Sequence, residues 1–239
     1  MKIALIGYGK MGREIEKTLL ERYHEVTLKI DIDNLHDFSL QNLGNADVAI
    51  DFSTPDSAFN NIIKCFEAGI PIVCGTTGWL NKYDEVIKIC REQNGTFFYA
   101  PNYSIGVNLF FKLNNYLAGL MNKYNEYNVE IEEIHHVHKL DAPSGTAISL
   151  AEGIINKLDR KENWKLNESK EKNTLCIQAK RENEVPGIHK IKYHSDVDYI
   201  EIVHTAKSRK GLAYGAVLAA EFISDKKGVF SMEDIMKTD

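Results

Sequence analysis

Two rhythms of apolar and polar positions alternate along the first part of the chain. Short β-prone runs appear at KIALI (2–6), VTLKID (ending at Asp31), ADVAIDFS, PIVCGTT and TFFYAPNYS. Between them lie stretches of helical spacing: REIEKTLLERY with Ile15, Leu19 and Leu20, then SAFNNIIKCFEAG and DEVIKICREQNG. Strands that alternate with helices predict a parallel, doubly wound sheet, with ligands in the crevice beyond the carboxyl ends of its strands. Those ends are Asp51-Phe52-Ser53, Gly75-Thr76-Thr77 and Ala100-Pro101-Asn102-Tyr103, residues suited to cofactor contact.

Further on, VEIEEIHHVHK reads as a strand from its Val and Ile content, with glutamates that imply one face is wet or at an interface. Period-two alternation puts His135, Val137 and Lys139 on one side and His136 and His138 on the other. Pro143 and Ser144 then start a helix through AISLAEGIINKL, with Ile148, Ala151, Ile154, Ile155 and Leu158 at amphipathic spacing. Ser144, Gly145 and Thr146 fall in its first turn. The charged segment 156–173 reads as a solvated connector without a role.

Composition narrows the class without naming a function. A chain of 239 residues suits one large α/β domain or two smaller lobes. Its 44% hydrophobic and 26% charged residues are those of a globular protein, which argues against disorder or fibre. The net charge of -5 is spread over interspersed acids and bases, so a small-molecule partner is expected rather than nucleic acid or an anionic membrane. The apolar run at the N-terminus is too short for a signal peptide and no stretch approaches a membrane span, so a cytoplasmic location is expected. Cys65, Cys74, Cys90 and Cys176 lack C-x-x-C spacing, which predicts reduced thiols rather than disulfides or a cysteine zinc site.

The chemistry concentrates in two places. GYGKMG, comprising Gly7, Tyr8, Gly9, Lys10, Met11 and Gly12, follows a strand and opens a helix, the context a dinucleotide turn requires. Gly7 permits the tight turn, Gly9 the approach of a pyrophosphate, and Gly12 the close packing of helix on strand. Asp31, with Asp33 as its neighbour, would accept from the ribose hydroxyls, which favours NADH, while Lys29 keeps NADPH open. HHVHKLDAPSGTA at 135–147 allows a metal site, an acid/base and anion site, or a histidine-rich strand. Alternation along a strand keeps the three histidines from easily meeting one ion, a constraint that relaxes if the strand ends near His136, and no cysteine is near, so a metal is demoted and none is assigned. A helix N-terminus with the hydroxyls of Ser144 and Thr146, beside Lys139, is instead a receptor for a carboxylate or phosphate, next to an imidazole able to donate a proton.

That stretch resembles the signature of the dihydrodipicolinate reductase family, close to E-x-H-H-x-x-K-x-D-A-P-S-G-T-A. The likeness extends over nearly the whole chain through GYGKMG, DFS at 51, GTTG at 75, APNYSIGVN at 100, PGIH at 186 and SRKGLAYGA. It implies an α/β protein with two lobes. One is a Rossmann-like dinucleotide-binding lobe with a parallel sheet, over 1–106 and 207–239. The other, over 107–206, is a substrate-binding α/β lobe whose open mixed sheet forms a homotetramer, and TLCIQAKR, HKIKYHS and YIEIVHTAKS suit that sheet. The resemblance makes His135 the proton donor, His136 and Lys139 substrate contacts with Lys139 also catalytic, and Gly145 with Thr146 the holders of a substrate carboxylate. Gly7 to Gly12, Asp31, Gly75 to Thr77 and Ala100 to Tyr103 match its cofactor contacts, with Phe52 and Ser53 beside them. The implied reaction is reduction of a cyclic dicarboxylate, with hydride delivered to ring C4 from NADH or NADPH and a proton to the adjacent carbon.

The chain departs from the family pattern in places. Its glycine turn is one residue shorter than G-x-x-G-R-M-G and has Lys10 for arginine; Ile32, not arginine, follows Asp31, which further favours NADH; Leu212 replaces a late phenylalanine. Arg209 falls near the lobe boundary, as a hinge, a structural pair or a substrate contact. Two rival classes remain to be separated by experiment: a non-enzymatic dinucleotide sensor, which needs no His135 beside an anion pocket, and a metal-dependent hydrolase, which would carry bound zinc.

Overall fold

The computed structural model describes residues 1–237. Contacts divide the chain into two units, Met1–Ile105 with the segment from Arg209 onward, and Gly106–Ser208. The first unit begins with β1 (Lys2–Ile6), α1 (Lys10–Glu21), β2 (Glu25–Ile30), α2 (Leu40–Leu43) and β3 (Val48–Asp51). It continues with α3 (Pro55–Glu67), β4 (Ile72–Cys74), α4 (Tyr83–Glu92) and β5 (Thr96–Tyr99). The second unit takes in α5 (Ile105–Met121), β6 (Asn128–His135), α6 (Gly145–Ile155), β7 (Asn163–Leu166), β8 (Thr174–Arg181), β9 (Ile188–His194) and β10 (Tyr199–Thr205). Then α7 (Lys210–Ile223), β11 (Gly228–Phe230) and α8 (Met232–Ile235) complete the first.

All strand pairs of the first sheet are parallel, in the order β11-β5-β4-β3-β1-β2. The central strands β1, β3, β4 and β5 are nearly continuous apolar runs because both faces are covered, whereas edge strand β2 alternates. Ile3 and Leu5 pack with Ile15 and Leu19 of α1 and with the alanine-rich face of α7; Ala4 and Ile6 pack with Ile62, Cys65, Val86 and Cys90 of α3 and α4. Leu20, which shares a helical spacing with Ile15 and Leu19, is 58% exposed, since adjacent helical positions point about 100° apart and only one can face the sheet. From β1 the chain turns to β2 on one side and then crosses to β3 on the other. The carboxyl ends of β1 and β3 therefore flank a topological switch point, where doubly wound sheets bind ligands.

The second sheet is mixed, in the order β10-β9-β6-β8-β7, with β6, β8 and β7 mutually parallel and β9 and β10 antiparallel. Its inner face buries Val129, Ile131, Leu175, Ile177, Ile191 and Tyr193 under α5 and α6. The other face carries a lattice of charges, with Glu132 paired to Lys180 (2.5 Å) and Lys190 (3.3 Å), and Glu130 to Lys192 (3.8 Å). Segment 156–173 is more than the solvated connector expected. It includes edge strand β7, and Lys161, only 5% exposed, donates to the carbonyls of Lys172 and Thr174 at 2.8 and 3.0 Å. A run of charges hid these features because strand pairing and a buried lysine leave little trace in hydropathy.

Candidate active site

In the first unit the glycine turn follows β1, and the three glycines are distinct in their surroundings. Gly7 sits at φ +87°, where a Cβ would lie 2.3 Å from the Phe52 carbonyl oxygen. At Gly12 a Cβ would come within 2.3 Å of the Gly7 carbonyl oxygen, so α1 can lie this close to the turn only without a side chain. Gly9 caps α1 and has open space where its Cβ would be. No side chain caps that helix and no acidic residue stands in its first turn, so its N–H groups face an open cradle. A dinucleotide pyrophosphate fits this arrangement.

The other loops converge on the same strand ends. Phe52 lies against Gly75, whose Cβ would sit 2.1 Å from the ring. Beneath them Asp51, fully buried, accepts from the Ser53 N–H at 2.9 Å and from the Thr76 hydroxyl at 3.4 Å. Burial pushes the Asp51 carboxyl up to about 6, against the hydrogen bonds from Ser53, Asn61 and Thr76. This network ties the β3 loop to the β4 loop. Thr77 and Pro101 are exposed, and Asn102 accepts from the Ser104 N–H at 2.9 Å.

Some expected contacts are placed differently. Tyr103 is 2% exposed and donates its hydroxyl to the Cys74 carbonyl at 2.7 Å, so its ring is core and braces the loop from within. Ala100 and Thr76 are likewise buried and can offer only backbone. Asp31, exposed, follows β2 and caps a short 3₁₀ turn, with Asn34 Oδ1 accepting from its N–H at 2.7 Å. Lys29 is paired with Glu16 at 2.6 Å and lies over the Tyr8 ring, whose hydroxyl also binds Glu16. Its charge is thus matched by Glu16.

In the second unit β6 ends at His135, so the strand alternation stops there and His136, Val137, His138 and Lys139 lie in the following turn. His138 is exposed and pairs with Glu184 at 3.1 Å; the rings of His136 and His138 are 6.1 Å apart. Lys139 Nζ is 2.8 Å from both carboxylate oxygens of Asp141, and it holds that carboxyl below its usual range. Ser144 is the cap of α6 rather than part of its first turn, its hydroxyl accepting from the Ala147 N–H at 3.2 Å, with Gly145 and Thr146 beginning the helix. The helix buries Ala147, Leu150, Ala151 and Ile154 instead of Ile148 and Ile155, a rotation of its inner face by about one residue.

Three further residues surround His135. Glu133, on the same face of β6, is fully buried, and its Oε2 is 3.4 Å from His135 Nδ1 and 3.7 Å from His189 Nε2. Arg181 approaches its other oxygen at 3.3 Å, and the Ser144 N–H lies 3.1 Å from both oxygens. Burial first, then the charges of Lys139 and Arg181, hold the His135 pKa below its usual value, against the pull of Glu133. Burial pushes His189 down to about 3, keeping it neutral. The donor atoms of Glu133, His135 and His189 all lie within 4.8 Å of one another, a spacing a metal could use. Arg181 places a positive charge on the same carboxylate and Ser144 occupies its lone pairs, so the cluster's electrostatics oppose a cation.

The glutamate was legible in principle. Val129, Ile131, Glu133 and His135 share one buried register, and an acid in phase with core residues on a strand signals a buried partner. His189 is in phase with the buried Ile191 and Tyr193 of β9 in the same way.

Comparison with known proteins agrees with these arrangements. Residues 1–103 match the family model described as dihydrodipicolinate reductase, N-terminus, and residues 106–236 the model for its C-terminus. A 4-hydroxy-tetrahydrodipicolinate reductase of Christiangramia forsetii is 50% identical, covering 99% of this chain and 98% of that one. One of Ralstonia pickettii is 34% identical over 99% of both chains. Among solved structures, a dipicolinate-bound dihydrodipicolinate reductase from Paenisporosarcina sp. TG-14 has the same fold, with a TM-score of 0.79 over 99% of both chains at 23% identity. The chain belongs to the dihydrodipicolinate reductase family.

Proposed function

We propose that the first unit holds the reduced dinucleotide while the second binds the substrate's carboxylates and delivers the proton. The reaction is the NADH- or NADPH-dependent reduction of 4-hydroxy-tetrahydrodipicolinate to tetrahydrodipicolinate, in which the 4-hydroxyl leaves as water and one hydride and one proton are added to the ring, in diaminopimelate and lysine biosynthesis. The bound cofactor supplies the hydride. Gly7 to Gly12 and the N-terminus of α1 take the pyrophosphate, Asp31 the ribose hydroxyls, and Phe52, Ser53, Gly75 to Thr77 and Ala100 to Asn102 border the site, with Tyr103 supporting from the core. Lys139, the His136 ring and the first turn of α6 at Ser144, Gly145 and Thr146 orient the dicarboxylate. His135 donates the proton to the ring carbon next to the one reduced.

A single arrangement supports this reading most: proton donor, lysine and helix N-terminus all lie on the one strand-turn-helix passage from β6 to α6. Inhibition by pyridine-2,6-dicarboxylate tests it. Lys139→Ala is expected to weaken the inhibitor by about 10- to 150-fold, the worth of a hydrogen bond to a charged group. Unchanged inhibition would refute the assignment.

Two features bear on the protein's setting. The helix-free face of the second sheet, its charges paired with one another and with Tyr199, Ile200 and Val203 of β10 exposed on that sheet, supports a homotetramer built through it. Sedimentation should return the mass of four chains, and a monomer would contradict it. No helix among the described residues is long and apolar enough to cross a membrane, and free Cys65, Cys74, Cys90 and Cys176 suit the reducing cytoplasm. A fluorescent fusion confined to an envelope fraction would contradict a cytoplasmic location.

A further inference from the structure

PGIH at 186–189 and the glutamate two residues before His135 are left without a task by the reaction as described. Both converge on the proton donor. Gly187, at φ +155°, lies so close to His135 that a Cβ there would be 3.0 Å from Nε2. His189 stands edge-on to the His135 ring with centroids 5.1 Å apart, and its Nε2 is 3.1 Å from the Ser144 hydroxyl. That hydroxyl also accepts from the Ala147 N–H, and burial keeps His189 neutral, so one hydrogen bond joins the His189 imidazole to the cap of α6. Arg181 does more than balance Glu133. Its Nη2 donates to the Asp141 carbonyl at 2.6 Å and its Nε to the Lys139 carbonyl at 3.3 Å, so it also ties down the turn that carries Lys139.

We propose that Glu133 is a positioning residue that, with Arg181 and His189, fixes the His135 imidazole, the Lys139 turn and the α6 N-terminus relative to one another. Resting on the reading of His135 as proton donor, it adds what selects that donor's tautomer and charge. Of the two imidazole nitrogens, Nδ1 is the one turned to the carboxylate; it is buried and makes no hydrogen bond at this separation, so Glu133 is the acceptor in reach of a proton there, and we place the neutral ring's proton on Nδ1. At 3.4 Å the approach is long for a hydrogen bond and shortens when the ring becomes positive. Nε2 is left toward Gly187 and the outside. Groups of both signs face His135 from every side: Glu133 on its own strand, Arg181 on β8, neutral His189 on β9 with His204 beyond it, and Lys139 with Asp141 on the turn. Only Glu133 among them is a fully buried anion, so its charge is the least screened.

The test is the pH profile of kcat/KM. A proton donor must be charged, so activity falls as pH rises through its pKa. Removing the adjacent negative charge makes the imidazolium harder to form, and Glu133→Gln should therefore move the falling limb about one unit toward lower pH. Glu133→Asp, which keeps the charge at shorter reach, should return the limb toward its original position with kcat still reduced. A glutamate that only stabilised the fold would lower activity equally at every pH, and an unmoved limb in Glu133→Gln would overturn the proposal. Should the variants fail to fold, nitrogen-15 histidine spectra of the unaltered protein decide it: neutral His135 is expected as the Nδ1–H tautomer, and an Nε2–H tautomer would overturn it. Turnover surviving in His135→Ala would overturn the donor reading and this proposal together. Lost turnover in His135→Ala with a fixed limb in Glu133→Gln would overturn the proposal alone.

Discussion

Replacing His135 by alanine is expected to lower kcat by about 10²- to 10⁴-fold, the range for loss of a positioned general acid. Binding of reduced dinucleotide should stay at its original strength, because the glycine turn and strand ends that hold it belong to the first unit. The large effect follows because the neighbouring groups have other tasks, His136 among them as a substrate contact. His189 is buried and held down to about 3, so it stays neutral, and it is occupied by the Ser144 hydroxyl. His138 points to Glu184 in the exposed turn, and Lys139 is taken by Asp141 before substrate arrives. Steady-state kinetics with a parallel fluorescence titration of the cofactor separates the two parts of this expectation. Near-normal kcat would remove His135 from the proton-transfer step.

Gly12→Val is expected to damage the cofactor site. A Cβ at that position lies 2.3 Å from the Gly7 carbonyl oxygen, a backbone atom that can yield only by moving the turn itself. Overpacking of this kind costs about 1–3 kcal/mol of stability. Displacement of the turn should weaken cofactor binding by more than about tenfold, or 1.4 kcal/mol. Gly9→Ala supplies the contrast. Its methyl enters open space, so stability should change by less than about 0.5 kcal/mol while affinity still falls, since the methyl stands where the phosphates approach. Melting temperatures and dinucleotide Kd values for the two variants check both halves. Equal affinities in the two variants and the parent would mean that the pyrophosphate lies elsewhere.

The doubly wound sheet was legible because its central strands are apolar runs bounded by turn residues, and because GYGKMG sits between a strand and a helix; β11, three residues long, gave no such signal. The anion site was legible from local order alone, since Lys139, Ser144 and the helix N-terminus are neighbours in sequence. What escaped depends on contacts between distant positions. Arg181 and His189 reach Glu133 from strands 48 and 56 residues away along the chain, and nothing in a local pattern pairs them. The glutamates of β6 looked alike in sequence, yet Glu130 and Glu132 meet lysines on the open face while Glu133 is buried by the register of a single residue. The inward turn of the Tyr103 ring escaped for a similar reason. A strand-end tyrosine reads as a cofactor contact, but close packing of α7, where a Cβ on Gly215 would be 1.7 Å from the Tyr103 carbonyl, shows that loop to be held from the core side.

Turnover itself tests the central claim most directly. Loss of reduced-nicotinamide absorbance would be followed with substrate generated in situ by dihydrodipicolinate synthase, with NADH and NADPH in parallel. Oxidation of the cofactor that depends on substrate is expected, with a higher kcat/KM for NADH, because exposed Asp31 repels a 2′-phosphate and Lys29 is already paired with Glu16. Tight binding of cofactor without turnover of either would contradict the account and leave a dinucleotide sensor in its place.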